Sequence, residues 1–576
     1  MLAALLVSLI AVIFLEGTDR LLETAKTISF RREHKVIQCD ANNTTKEKEV
    51  LSWPPTTFDS KRVSIGGTSS LCDLSRFQRD YIDIIPKSWT AVSLSLSDNQ
   101  QELLITRLQA GQSPFVLRLP LGRNNSIDAD EEVFGFEQGR LELEEILRLG
   151  NETAHDARNR TGREAKQAWW DEREALDARL RDLLENVEKV WLGGFTGIFS
   201  QHSRRPDLLA RFQKSFQNIL DKHLPSRRKT KKRNASHRVA LDSRILELFI
   251  GLGDGSAEDC DFSDPLTDLL YFVVDILQFH GELNAYAEID FDSIVVETGD
   301  ALRSYHEAVR ASGERDEAKH TILILDKPLH GFPWESLPCL DGLAVSRLPS
   351  LGCLRDRILA QEQTEDKGGP DGHYINRNDG SYILNPEGDL KTTQATFEKS
   401  LQTLSEWDGI INREPSADEM KKCHQSKDLL LYFGHGSGAQ FIRAKEIRAL
   451  DKCAVTILMG CSSGALSEAG EFELYGPPTH YMHGGCPALV ATLWDVTDKD
   501  IDRFAQRTFE NWGLLESPES VEMASRGRSR KKAGVAHEMK AKMSLVEAVA
   551  KGKEACHLRY LNAAAVCVYG IPVYIK

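Results

Sequence analysis

After about residue 320 the chain repeats one pattern: a short, almost wholly apolar run, a break, then a stretch long enough for a helix. Thr321-Ile322-Leu323-Ile324-Leu325 is the first such run. Leu429-Leu430-Leu431-Tyr432-Phe433, Val455-Thr456-Ile457-Leu458-Met459 and Ala488-Leu489-Val490-Ala491-Thr492-Leu493 follow, each bounded by glycine, proline or charge. Runs without polar alternation do not suit a sheet with one wet face, so both faces must be covered. The spacers, for example residues 441–450 and 500–511, read as helices. Apolar strands alternating with helices specify an α/β fold, a mostly parallel sheet flanked by helices.

The 576 residues exceed what one hydrophobic core organises, so two to four domains are expected. Residues 2–15 are almost wholly apolar but lack a basic leader and are short for a membrane span, so they read as a buried helix. Residues 39–49 form a polar loop, and Trp53-Pro54-Pro55 stops any helix there. Residues 114–121 place an apolar run between prolines, as a short strand does. Residues 162–189 predict a long amphipathic helix. Its stripe carries Trp169, Leu176, Leu180, Leu183, Val187 and Val190, charges fill many other positions, and Gly193-Gly194 ends it. It reads as one arm of a helical hairpin, with Trp169 and Trp170 in packing roles. The basic run at residues 226–233 predicts a solvated loop with the option of a nuclear-localisation or anion-binding patch. Residues 362–378 and the stretch around residues 526–532 predict further loops.

Hydrophobic residues make up 41% and charged residues 27%, as in a folded soluble chain. The net charge of −14 argues against a dominant nucleic-acid binder, so any nucleic-acid contact is expected to be indirect. It suits an enzyme whose substrate segments are positively charged. The 11 cysteines are odd in number and scattered, which predicts no disulfide framework and a reducing compartment, cytoplasm or nucleus. No stable membrane association is expected.

In a parallel sheet, functional groups gather at the carboxyl ends of the strands. His435 follows the run ending at Phe433, inside Phe433-Gly434-His435-Gly436-Ser437-Gly438. Cys461 follows the next run, inside Met459-Gly460-Cys461-Ser462-Ser463-Gly464. One helix separates them, so a right-handed crossover makes the two strands neighbours and brings both side chains to one sheet edge. A thiol needs a base to become a strong nucleophile, and an imidazole supplies it and later protonates the leaving amine. Gly436 lets the backbone turn an N–H toward the scissile carbonyl. With the N–H of Cys461 it makes a candidate oxyanion hole, each donor worth about 3 kcal/mol. Two other readings of these residues compete. The glycine-rich turn could cradle a phosphate, but it lacks the P-loop lysine. His480, His483 and Cys486 have metal-like spacing without a second ligand cluster. Neither a metal nor an organic cofactor is required.

The residues also carry a resemblance. Leu431-Tyr432-Phe433-Gly434-His435-Gly436-Ser437-Gly438 resembles the histidine motif of separases, and Met459-Gly460-Cys461-Ser462-Ser463 resembles their nucleophile motif. Cys486-Pro487-Ala488-Leu489-Val490, running on to Leu493-Trp494-Asp495-Val496-Thr497-Asp498-Lys499-Asp500-Ile501-Asp502, resembles the most distinctive block of the family. Weaker similarity includes Phe332-Pro333-Trp334-Glu335 and Trp191-Leu192-Gly193-Gly194-Phe195, and the whole covers roughly residues 110–576. The resemblance implies a caspase-like cysteine endopeptidase that cuts the kleisin subunit of cohesin after an arginine, usually with an acidic residue three positions earlier, so that sister chromatids part at anaphase. It implies securin as a pseudosubstrate inhibitor. It implies an N-terminal helical or linker region (residues 1–110), a substrate-binding domain with a helical insert (111–319) and a protease domain (320–576). The resemblance also implies a long helical-repeat region upstream, for which these 576 residues leave no room.

A pocket for arginine needs a carboxylate at least half-buried to meet the guanidinium. Asp495, Asp498, Asp500 and Asp502 follow the strand past Cys486, and Asp495 or Asp502 is the expected partner. Asp498 otherwise caps the next helix, and Asp500 and Asp502 are otherwise surface charges. Trp494 either walls the pocket or packs. Two alternatives stand beside this reading: a related caspase-like peptidase with another substrate, and a catalytically silent scaffold.

Overall fold

A computed structural model describes residues 75–122, 134–156, 162–202, 205–227, 238–253, 262–312, 319–362, 368–369, 371–450, 452–470, 472–516 and 543–576. The expectations for residues 2–15, 39–49, 53–55, most of 226–233 and 526–532 fall outside these residues. The chain divides into two compact units, one built on residues 87–108 and 114–345, the other on 75–86, 109–113 and 346–576.

In the first unit β1 (Trp89–Leu96), β2 (Glu102–Leu108) and β3 (Phe115–Pro120) form an antiparallel meander, and β4 (His320–Leu325) lies parallel to β1 on its other side. All six residues of β4 are buried, as its unbroken apolar run requires. Helices Phe136–Asp156 and Arg163–Asn186 pair as the predicted hairpin. Arg179 forks onto Glu142 at 2.5 and 2.9 Å, and the Trp169 indole donates to Thr153 O at 2.8 Å. Leu176, Leu180, Leu183 and Val187 are buried, as the stripe predicts. One charged position of that helix lies inside instead. Arg173 is fully buried, donating to Gly150 O and Thr153 Oγ1 at 3.1 Å with its guanidinium 5.4 Å from the centre of the Trp169 ring. The basic stretch also begins differently from a solvated loop: the side chain of Arg227 is shielded from water and forks onto the buried Glu282 at 2.5 and 3.0 Å.

In the second unit β8 (Gly380–Leu384), β9 (Asp408–Ile411), β10 (Leu429–Phe433), β11 (Val455–Leu458), β14 (Ala488–Thr492) and β15 (Val566–Gly570) stand in the order β15-β14-β11-β10-β8-β9, while β12 (Ser467–Ala469) and β13 (Phe472–Tyr475) pair antiparallel apart from them. From β9 across to β14 every neighbouring pair is parallel; β15 runs antiparallel to β14 and parallel at Arg347 to β5 (Val345–Arg347). β8, β10, β11, β14 and β15 are buried throughout, which is why their sequences are nearly all apolar. The helices include Lys391–Gln402, Ala417–Ser426, Asp498–Trp512 and Leu545–Gly552. This is the predicted α/β class, a caspase-like mostly parallel sheet flanked by helices.

Two local expectations are corrected. The helix foreseen at residues 441–450 shortens to Ala444–Arg448, because the turn at Gly438 (φ +73°) runs on until Arg443. Residues 362–378 are not all loop: β6 (Gly368–Gly369) and β7 (Gly372–Ile375) join β16 (Val573–Ile575) in a small sheet. Their partner comes from the far end of the chain, which no local pattern reveals. The close approach needs Gly372, where a Cβ would meet Pro572 O at 2.4 Å.

Candidate active site

The strand order sets where a cleft forms. Leaving β8 the chain turns outward to β9, whereas leaving β10 it turns the other way to β11. Loops that diverge from adjacent parallel strands open a crevice at their carboxyl ends. The β8 loop carries Asp389, the β10 loop carries His435, and the next strand, β11, leads into Cys461.

His435 is displayed by a turn with little conformational choice. Gly436 and Gly438 take left-handed φ values of +60° and +73°, and Tyr432 Oη donates to His435 O at 2.9 Å. The ring Nε2 lies 2.8 Å from Asp389 Oδ2, with both side chains about two-fifths exposed. Cys461 follows Gly460, whose missing side chain is a condition of the site. A Cβ there would fall 2.1 Å from Gly436 O and 2.5 Å from Gly434 O, so the two loops touch backbone to backbone. Thr492 Oγ1 donates to Gly460 O at 2.7 Å and fastens the same turn to the end of β14.

Cys461 is partly buried, and its thiol donates to Val496 O at 3.3 Å. Burial pushes the thiol above its ordinary range, nearby Asp495 and Asp498 push the same way, and the Val496 bond opposes them. No hydrogen bond joins Cys461 to His435 here: each is engaged elsewhere, at Val496 and Asp389. No other residue accepts the N–H of Gly436 or of Cys461 among the described residues. The turn continues through Ser462, a non-glycine residue at φ +51°, with Ser462 N donating to Trp494 O and its hydroxyl to Asp495 Oδ1 at 2.6 Å.

The four aspartates part company. Asp495 holds the Ser462 hydroxyl. Asp498 is exposed in the first turn of helix Asp498–Trp512, one residue inside the N-cap Thr497, so it is not the cap residue. Asp500 is no surface charge. It is buried and accepts from His557 N, Leu558 N and Asn562 Nδ2 at 2.9–3.0 Å, which occupies it structurally. Asp502 is buried as well. One carboxylate oxygen accepts from Thr393 Oγ1 at 3.0 Å, and the other is buried without a partner. Burial pushes the Asp502 carboxyl up to about 7, Asp498 adds to this, and Thr393 opposes it. Trp494 is buried, its indole donating to Leu561 O at 2.8 Å.

The Cys486 thiol is buried and donates to Ala454 O and Ala488 O at 3.1 Å, inside the sheet. Among the described residues the group whose ligand atoms lie within 4.8 Å of one another is instead Glu387, Asp389 and His435. Sequence reasoning misses Asp389. It sits 46 residues before His435 and only the sheet order brings the two together.

Comparison with known proteins fits this architecture. The family described as "Separin, protease domain" matches residues 98–501. The separin of Emericella nidulans is 50% identical over 550 residues, covering 96% of this chain and 25% of that protein. The separin of Schizosaccharomyces pombe is 43% identical over 520 residues, covering 90% and 26%. A crystal structure of the Saccharomyces cerevisiae separase–securin complex superposes with a TM-score of 0.73 at 31% identity, over 88% of this chain and 31% of that one. The chain thus spans about a quarter of the length of the curated relatives it matches. With the family match extending over most of its length, this chain belongs to the separin protease-domain family.

Proposed function

We propose that this chain is the protease portion of a separase, with Cys461 as nucleophile and His435 as general base. One observation carries the reading: an imidazole and a thiol follow the carboxyl ends of adjacent parallel strands, on loops in direct backbone contact at Gly460 and Gly436. The imidazole takes the thiol proton as sulfur attacks the substrate carbonyl and returns it to the leaving amine, and water then hydrolyses the acyl-enzyme. The N–H groups of Gly436 and Cys461, which no other described residue accepts, are the donors for the oxyanion.

In this reading the substrate side chain beside the cut is arginine, and Asp502 receives it. Its buried, unpartnered oxygen is the kind of acceptor a guanidinium fork satisfies, while Asp495 is drawn toward the Ser462 hydroxyl. Trp494 then supports the loop from behind, and Asp498 stands at its exposed rim. The substrate is the kleisin subunit of cohesin. Securin is the inhibitor, in keeping with the complex in which the similar yeast structure was solved. The setting is cytoplasm and nucleus.

An arginine-bearing acyloxymethyl ketone tests the pair. It is expected to modify Cys461, and Cys461→Ser and His435→Ala are each expected to abolish cleavage without loss of fold by circular dichroism. A fully active variant of either kind refutes the assignment. A cleavage profile on a peptide library tests the arginine separately.

A further inference from the structure

We propose that Asp389 is a positioning residue that selects the tautomer of His435 and so leaves Nδ1 as the nitrogen that takes the thiol proton. The inference rests on His435 being the base, as argued above. A carboxylate only accepts hydrogen bonds, so the 2.8 Å contact between Asp389 Oδ2 and His435 Nε2 puts the ring proton on Nε2. In a neutral imidazole the other nitrogen then carries the lone pair. The same contact stops the ring from rotating about its Cβ–Cγ bond.

The carboxylate is itself held in place. Asn385, directly after β8, takes a left-handed conformation (φ +51°), is buried, and donates its N–H to Phe433 O at 2.8 Å, tying the end of β8 to the end of β10. Its side chain accepts from Leu390 N and donates to Gln394 Oε1, both at 2.9 Å. Gly388 N donates back to Asn385 O at 3.2 Å, and Lys391 N donates to Asp389 O at 3.0 Å. Asp389 is thus presented by a turn pinned on both sides, across the crevice where the β8 and β10 connections diverge. An ion pair this exposed does little for stability, so a structural role gives substitution small consequences. A tautomer-fixing role gives it large consequences for chemistry alone.

The test uses the whole chain and two readouts. The first needs no substrate: the rate of iodoacetamide alkylation at Cys461, followed by mass spectrometry, for the parent chain and for His435→Ala, Asp389→Ala and Asp389→Glu. Relative to the parent, the rate is expected to drop for His435→Ala, to drop nearly as far for Asp389→Ala, and to be substantially restored for Asp389→Glu. The second is steady-state cleavage, where Asp389→Ala is expected to lower kcat by about 100-fold, the cost of a misplaced reacting group, with KM within about twofold. If His435→Ala alkylates like the parent, the assignment of the base itself fails. If His435→Ala slows the reaction and Asp389→Ala does not, the positioning role alone is overturned. A rise in KM at constant kcat would likewise overturn it, marking Asp389 as a substrate contact.

Discussion

At residue scale, the site depends on atoms that are missing as much as on atoms present. Gly460 is the clearest case, because a methyl group there collides with backbone oxygen atoms that cannot swing away. Gly460→Ala is expected to displace the Cys461 turn and lower kcat by at least about tenfold, while thermal unfolding shows a folded chain. Asp502 supplies a pH signature. Its carboxyl stays protonated in the native state up to about 7, whereas in the unfolded chain it ionises near 3.8. At this one site the native state therefore holds the proton where the unfolded chain has lost it, and the contribution of Asp502 to stability falls as pH rises through that window, then levels above about 7. Asp502→Asn is expected to remove that slope in denaturant titrations. For peptides cut after arginine, the parent KM is expected to fall as pH rises from 6 to 8, while the Asn variant keeps a high, flat KM. His435 and Cys461 are legible as candidates because each sits in a glycine-rich turn directly after an apolar run. Asp389 is not legible, since Asn385-Pro386-Glu387-Gly388-Asp389 reads as an ordinary turn until the sheet order places it beside His435. Asp500 is misjudged because its partners, His557, Leu558 and Asn562, lie more than 50 residues away.

At the scale of elements, periodicity is a dependable guide where one partner suffices. The stripe of helix Arg163–Asn186 names the buried Leu176, Leu180 and Leu183 and misses Leu184, and the runs at residues 321–325, 429–433, 455–459 and 488–493 become β4, β10, β11 and β14 within a residue or so of their foreseen ends. Charged side chains with buried partners defeat the same logic. Arg173 and Arg227 look like solvent-facing charge and are inside, because Thr153 and Glu282 await them. Arg227→Ala strands the Glu282 carboxylate and is expected to cost about 3–5 kcal/mol in urea unfolding, whereas removing an exposed arginine such as Arg181 is expected to cost under about 1 kcal/mol. Replacing both members of the pair together is expected to cost less than removing Arg227 alone, since no charge is then left buried.

At the scale of the molecule, each unit carries a buried histidine that water does not reach. Burial pushes His320 down to about 3 and His424 down to about 4, so both stay neutral in the native state while the unfolded chain takes up protons near 6.5. At these two sites the unfolded state binds more protons below about 6.5, so their joint contribution to stability falls as pH drops from 6.5 toward 4, against the opposite slope that the single Asp502 carboxyl supplies. Denaturant midpoints at pH 7 and pH 5 measure the effect, and His320→Gln and His424→Gln are each expected to shrink the difference.

The final stretch of the chain has a further consequence. Residues 566–570 lie as β15 between β14 and Arg347, Val573–Ile575 completes the small sheet with β7, and the backbone at His557 and Leu558 grips Asp500. The tail is therefore woven into the fold rather than appended to it. A single cut between residues 516 and 543 would leave two polypeptides that hold each other by sheet pairing and a buried carboxylate, and neither alone would own a complete sheet.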